Sequence, residues 1–300
     1  MSTYDKTINT LYENPKLKTN NITQRIEIIS AYFLGKPYLI KPLGEGPSAP
    51  FDQAPLYRTD GFDCLTYVST VLALAKARNL MEFKQKMLEI QYYNATPTFE
   101  NRLHFLSVDW NINNQKNGFI EDITRQILPS DAKNPSLTAY ATINKPAWYQ
   151  TSDHLNLLQP LLPKEKKERL KKLHHLSQQV KIEQSALPYI PLTALFDSHG
   201  KANQTIFSKI PSGAIIEIVR PNWNLVPQIG THLNVSHLGF AIRTPEGLMF
   251  REASSADQKK FVMDISLIAY LKNYLGSPTV KGINIERILP NSAIKSSVGE

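Results

Sequence analysis

Gly61-Phe62-Asp63-Cys64-Leu65-Thr66-Tyr67-Val68 holds the single cysteine of the chain, and the residues around it read as the start of a helix. Asp63 is a residue type that accepts a hydrogen bond from the unpaired N–H groups of a first turn. Behind it Leu65, Val68, Val71, Leu72 and Ala75 recur at helical spacing, which predicts a helix to about Asn79. A thiol in that first turn feels the positive end of the helix dipole and nearby free N–H groups. Both favour thiolate, the attacking form. The competing reading is a buried cysteine that acts as a small hydrophobe.

A thiolate nucleophile needs a base. Of the seven histidines, His104, His154, His174, His175, His199, His232 and His237, the last has the best setting. Val235-Ser236-His237-Leu238-Gly239-Phe240-Ala241-Ile242 reads as a strand, and Leu248-Met249-Phe250-Arg251-Glu252 as a second. Pro245 and Gly247 between them signal a hairpin. If Arg243 pairs with Leu248, Gly239 faces Glu252 and His237 faces Ser254. Pleating then puts His237 and Glu252 on one face, where the carboxylate accepts the second ring N–H of the histidine. A register one residue off puts Arg251 there instead. A strand histidine bonded only to a backbone carbonyl is the plain alternative for His237.

These residues resemble the NlpC-type branch of papain-like cysteine hydrolases, which cut bacterial peptidoglycan. The blocks are Gly35-Lys36-Pro37-Tyr38, Asp63-Cys64 and Ser236-His237-Leu238-Gly239. Further blocks are Arg102-Leu103-His104-Phe105 with Asp109-Trp110, Gly118-Phe119-Ile120-Glu121-Asp122-Ile123-Thr124, and Ala253-Ser254-Ser255. Together they resemble the N-acetylmuramoyl-L-alanine amidase-like branch. The resemblance implies a cysteine amidohydrolase that cleaves between N-acetylmuramic acid, in its anhydro form, and L-alanine. Cys64 would attack, His237 would carry the proton, Glu252 would orient His237, and Tyr38 with the Cys64 N–H would meet the oxyanion. Asp63 and Ser236 would hold the peptide, or else only cap a helix and sit on a strand edge. Arg102, His104, Asp109 and Trp110 would line the sugar side, Trp110 by stacking unless it is a core residue. Relatives often carry His where Glu252 stands. A stem-peptide endopeptidase and a non-catalytic muropeptide-binding module remain as alternatives.

Composition agrees with a folded enzyme. Three hundred residues with 42% hydrophobic content can bury a substantial core. One cysteine excludes an internal disulfide framework, no Cys/His spacing suggests zinc, and His174-His175 diverge on a helix. No metal or cofactor is expected. No apolar run reaches the roughly 20 residues of a membrane span. Met1-Ser2-Thr3-Tyr4-Asp5-Lys6 lacks a secretory leader pattern, leaving a cytoplasmic chain or one begun after a removed leader. The resemblance favours the second, in a bacterial envelope. Much of the net charge of +8 sits in Lys164–His175, a mixed Lys/Glu run with Leu170, Leu173 and Leu176 as an apolar stripe. That pattern fits a solvated helix face better than a nucleic-acid surface, and it tolerates an anionic wall polymer. Nothing in it sets an oligomeric state.

The predicted fold class is α+β, with a papain-like core in which the Cys64 helix packs on a late antiparallel sheet. A helix from Asn21 to Leu34 ends at Gly35, a Pro/Gly-rich loop over residues 41–60 walls the cleft, and a helix covers Met81–Tyr93. Strands are expected at Ala214–Val219 and Ile283–Leu289, with a helix around Ile265–Leu275 between the hairpin and the last strand. Residues 1–300 form one catalytic domain. Residues 95–210, broken by Pro160, Pro163, Pro188 and Pro191, form a mostly helical inserted subdomain beside the cleft.

Overall fold

The computed structural model describes residues 1–128, 134–151, 156–159, 162–256 and 259–291. Four helices lead the chain: α1 (Thr3–Glu13), α2 (Ile22–Tyr32), α3 (Cys64–Lys76) and α4 (Leu80–Gln91). Each begins where a short polar side chain, Ser2, Asn21, Asp63 or Asn79, accepts the N–H of the third helical residue. Such caps satisfy donors that the helix itself leaves open. Helix α3 is buried from Thr66 to Lys76. At its other end the guanidinium of Arg25 on α2 donates to the carbonyls of Leu74 and Ala75, at 3.2 and 2.8 Å. A cation there satisfies orphan acceptors and complements the negative end of the dipole.

The sheet is antiparallel. Its strands are β1 (Ile120–Asp122), β2 (Leu137–Asn144), β3 (Ile182–Pro191), β4 (Ile215–Leu225), β5 (Thr231–Thr244), β6 (Gly247–Ala253), β7 (Val262–Ser266) and β8 (Gly282–Ile288). They run in the order β2-β3-β8-β4-β5-β6-β7, with β1 paired to β8. Helix α3 packs on Leu238, Phe240 and Ile242 of β5 through Tyr67, Val68, Val71 and Leu72. Ile216, Ile218, Ala241, Phe250, Ile283 and Ile285 form a second core with the helix Leu267–Lys272. The expected α+β class, the late sheet and the helix on its face are all present.

The segment 95–210 differs from expectation. Between its helices it supplies β1, β2 and β3, which join the main sheet. Ala139, Ala141 and Ile143 are buried and alternate with Thr138, Tyr140 and Thr142, a strand pattern weakened by two alanines. Pro188 stands inside β3 opposite Thr138. Among the described residues β8 pairs with β3 only at Ile190 and Pro191, so position 188 needs no donor on that side. The Lys/Glu run does form a helix, Pro163–Ser177, seated by Leu173, with Leu170 and Leu176 half-buried.

Candidate active site

Cys64 is the first residue of α3 and is half-buried. The turn before it closes on itself: Thr66 N–H donates to Asp63 Oδ1 at 2.8 Å, and Asp63 N–H to Thr66 Oγ1 at 3.0 Å. Burial pushes the Asp63 carboxyl up, against the Thr66 hydrogen bonds. The chain enters this turn beside Pro37–Leu39. Phe62 N–H donates to Pro37 O at 3.0 Å, and Leu39 N–H to Phe62 O at 2.9 Å. A Cβ on Gly61 would stand 2.9 Å from Pro37 O and 2.6 Å from the Leu39 side chain, so only glycine admits this approach. Tyr38 is thereby placed beside the thiol. Burial, followed by the charges of Cys64 and Asp63, pushes its hydroxyl up to about 12. It stays protonated at neutral pH and available as a donor.

The hairpin has the expected register: Arg243 pairs with Leu248 and Phe240 with Arg251. His237 Nε2 meets Glu252 Oε2, and Glu252 is buried. Arg251 points the other way, to Asp264 at 2.7 Å and Ser30 at 2.9 Å. The strand β5 carries a bulge just before the histidine. His237 pairs with Ile218 and Val235 with Val219, so Ser236 is the extra residue. Bulges re-aim neighbouring side chains. The Ser236 hydroxyl reaches Ile218 O at 3.4 Å. Phe250 meets the imidazole edge-on at 5.8 Å, and Tyr270 lies nearly parallel to it at 6.4 Å. A Cβ on Gly239 would come within 2.8 Å of the Phe250 ring and 2.6 Å of Arg251 O, so glycine lets Phe250 sit beneath the histidine.

Burial alone would lower the His237 pKa. The Cys64 charge and hydrogen bond, followed by those of Glu252, outweigh it and raise the imidazole to about 10. Since Nε2 faces Glu252, Nδ1 is the nitrogen left for the thiol. A thiol at a helix start, an imidazole charged at neutral pH and a buried carboxylate thus stand in line. Such a line can stabilise a thiolate and hand a proton to a leaving group.

A cleft of about 190 Å³ opens from Asp63, Leu65 and Thr66 toward Arg102, His104 and Trp148. The 41–60 loop walls it through Lys41, Pro42, Leu43 and Asp52, as its composition predicted. Arg102 anchors that loop, donating from Nε to Glu45 at 2.6 Å, and from Nη1 to Asp52 at 2.8 Å and Leu43 O at 3.2 Å. Burial raises Glu45 to about 6 despite Arg102. The His104 ring packs 4.6 Å from Phe99 and 4.7 Å from Trp148. Asp109 is buried under Tyr93 and Lys145, at 3.0 and 2.5 Å.

Trp110 is the exception among the predicted residues. It is 1% exposed, inside the main core, and has no face to offer a sugar. Its N–H bonds to Phe105 O five residues back, a π turn that ordinary helical spacing does not anticipate. The indole at the cleft is Trp148, and Tyr270 beside His237 was also missed. Trp148, after Asn144-Lys145-Pro146-Ala147, stands in a setting about as polar as that of Trp110, so the local sequence held no signal that told them apart. His154 lies outside the described residues. Among the described residues no group of three or more His, Cys, Asp or Glu could hold a metal ion, and no helix is long and apolar enough to cross a membrane.

A Legionella pneumophila protein, from a family of unknown function, matches with a TM-score of 0.90 and 48% identity over 95% of this chain and 94% of that one. An N-acetylmuramoyl-L-alanine amidase from Bacteroides uniformis matches at 0.59 and 24% identity, over 89% of this chain and 98% of the other. A putative xylanase from Bacteroides fragilis matches at 0.57 and 21%, over 87% and 99%. The last two share the fold at a similar level under different names, so their likeness carries the fold alone. No match was found among functionally curated proteins. Residues 28–277 match the family described as N-acetylmuramoyl-L-alanine amidase-like, and the chain belongs to that family.

Proposed function

We propose that this protein is a cysteine amidohydrolase of peptidoglycan fragments, cutting the amide between the lactyl group of N-acetylmuramic acid, in its anhydro form, and L-alanine. The observation that supports it most is the alignment of Cys64, His237 and Glu252 within a chain of this family. The order of the three resembles that of papain-like NlpC-type hydrolases. The Cys64 thiolate attacks the carbonyl carbon. The oxyanion that forms is met by the Cys64 N–H and the Tyr38 hydroxyl, donors fixed before charge develops. His237 gives its Nδ1 proton to the amine of L-alanine as the C–N bond breaks, leaving a thioester. Water, deprotonated by His237, then attacks the thioester and restores the thiol. Glu252 holds Nε2–H throughout and steadies the imidazolium. Asp63, Ser236, Arg102, His104 and Trp148 border the path of the substrate. We place the chain in the bacterial envelope, where such substrates arise.

The test incubates the protein and Cys64→Ala with defined muropeptides, in anhydro and reducing forms, and reads the products by mass spectrometry. Free peptide beginning with L-alanine, absent with the variant, is the expected result. Cleavage inside the stem instead makes the protein an endopeptidase. No cleavage leaves a binding module and removes the roles assigned above.

A further inference from the structure

His237 is held by more than its carboxylate. Two aromatic rings close round the imidazole where it meets Glu252. Phe250 lies two residues before Glu252 on β6, so the pleat sends both side chains to one face. It is fully buried and meets the imidazole edge-on. Tyr270 covers another side. Its ring lies 28° from parallel to the imidazole, 6.4 Å away, and 4.9 Å from Phe250. The core fixes its place: Leu267 and Leu271, on the same short helix, are fully buried against the sheet. Tyr274 backs the ring at 5.4 Å, and its hydroxyl donates to that of Tyr270 at 3.5 Å.

We infer that Tyr270 is a positioning residue: its ring, together with Phe250, keeps water off the hydrogen bond between His237 Nε2 and Glu252. This rests on the roles that the amidase reading gives to His237 and Glu252. Their side chains are 13% and 6% exposed, so the bond is nearly dry, and the Tyr270 ring is part of the cover. A hydrogen bond to a charged group strengthens as water leaves and the local dielectric falls. Dry, the bond holds the imidazole in one orientation, with Nδ1 toward the thiol. Wet, the carboxylate is solvated and the imidazole is free to turn. The ring acts here, and the hydroxyl does not. Among the described residues the phenol has Tyr274 as its hydrogen-bond partner. Burial, followed by the charge of Glu252, pushes that hydroxyl well above its ordinary value, as expected of a phenol in the same dry space as the carboxylate.

The experiment follows the His237 Nε2 proton by NMR in protein with isotope-labelled histidine. In the wild type it should resonate far downfield and exchange slowly with water, as a proton held by a buried carboxylate does. Tyr270→Phe should keep that signal, and Tyr270→Ala should lose it to exchange. Tyr270→Gln, which fills more of the space but with a polar group, should lose it too, and it decides the matter if the alanine variant does not fold. On a muropeptide, the two variants without a ring should lower kcat by roughly tenfold to a hundredfold, the cost of a misplaced catalytic group, with KM and the Tyr270→Phe kcat within about twofold of wild type. A proton signal or a kcat that survives in both variants without a ring overturns the inference. So does a Tyr270→Phe protein that behaves like Tyr270→Ala, which would assign the effect to the hydroxyl. If the wild type cuts no muropeptide, the amidase reading falls while the proton signal still decides the part played by Tyr270. If the wild type turns over and shows no protected proton, the amidase reading stands and this inference falls.

Discussion

Glu252 and Glu217 are both buried glutamates, one on each strand flanking β5, and they behave in opposite ways. Glu217 pairs with Leu238, while Glu252 faces the next residue, Gly239, so the pleat sends them to opposite faces. Glu252 meets His237. Glu217 meets no cation among the described residues. Its contact is the amide of Asn111 at 3.1 Å, and burial, with Asp122 nearby, raises it to about 8. Diagonal to it on β8, Glu286 is raised to about 10 by burial and by Glu217 and Asp122. One carboxylate has a basic side chain, His237, as its partner. The other keeps its proton because it has none. A buried glutamate is thus read by its neighbours across the ladder, not by its depth.

The largest expected effect sharpens this contrast. Glu252→Gln should lower kcat by on the order of 10³–10⁴, as when a triad carboxylate loses its charge. Glu217→Gln should leave kcat within about threefold. Steady-state assays on a muropeptide check both, and similar losses would erase the distinction.

Next in size is Gly239→Ala. The added methyl meets Phe250 and Arg251 O, so destabilisation of about 1–3 kcal/mol is expected from overpacking. Denaturant unfolding measures it. A neutral result would mean that Phe250 is free to move from beneath His237.

A further effect is in pH. Glu217 and Glu286 ordinarily titrate near 4.5, and in the fold near 8 and 10. Across those windows the folded chain holds protons that the unfolded chain has lost, so stability falls as pH rises. His237, raised from 6.5 to about 10, adds the same sign. Glu217→Gln stays neutral at every pH. Relative to wild type it should therefore gain stability between pH 5 and 9, measured by urea unfolding at each pH. A parallel pair of curves would show that Glu217 is ionised in the fold.

The site was more legible in the sequence than the sheet that carries it. Asp63-Cys64 announced a capped helix start because capping is local chemistry. The Arg243–Leu248 register followed from a tight turn, and with it the pairing of His237 with Glu252. Trp110 was read as a cleft residue, and the π turn at Leu106–Trp110 instead belongs to a segment that seats it in the core. Ala139 and Ala141 gave β2 too little apolar contrast, and Pro188 disguised β3. Glu217, inside Ile215-Ile216-Glu217-Ile218-Val219, gave no sign that its face of the strand is covered.

Strand β8, the last of the sheet, lies between β3 and β4. The run β4-β5-β6-β7 can zip hairpin by hairpin from neighbouring residues, at small entropic cost. β8 must instead close long loops to enter between strands made earlier, which is the slow kind of pairing. Until Gly282–Ile288 arrives, β3 and β4 present open edges on which another chain could dock. The pairing of the last strand is therefore what closes both edges. A refolding study should find its slowest phase in the protection of β8 amides.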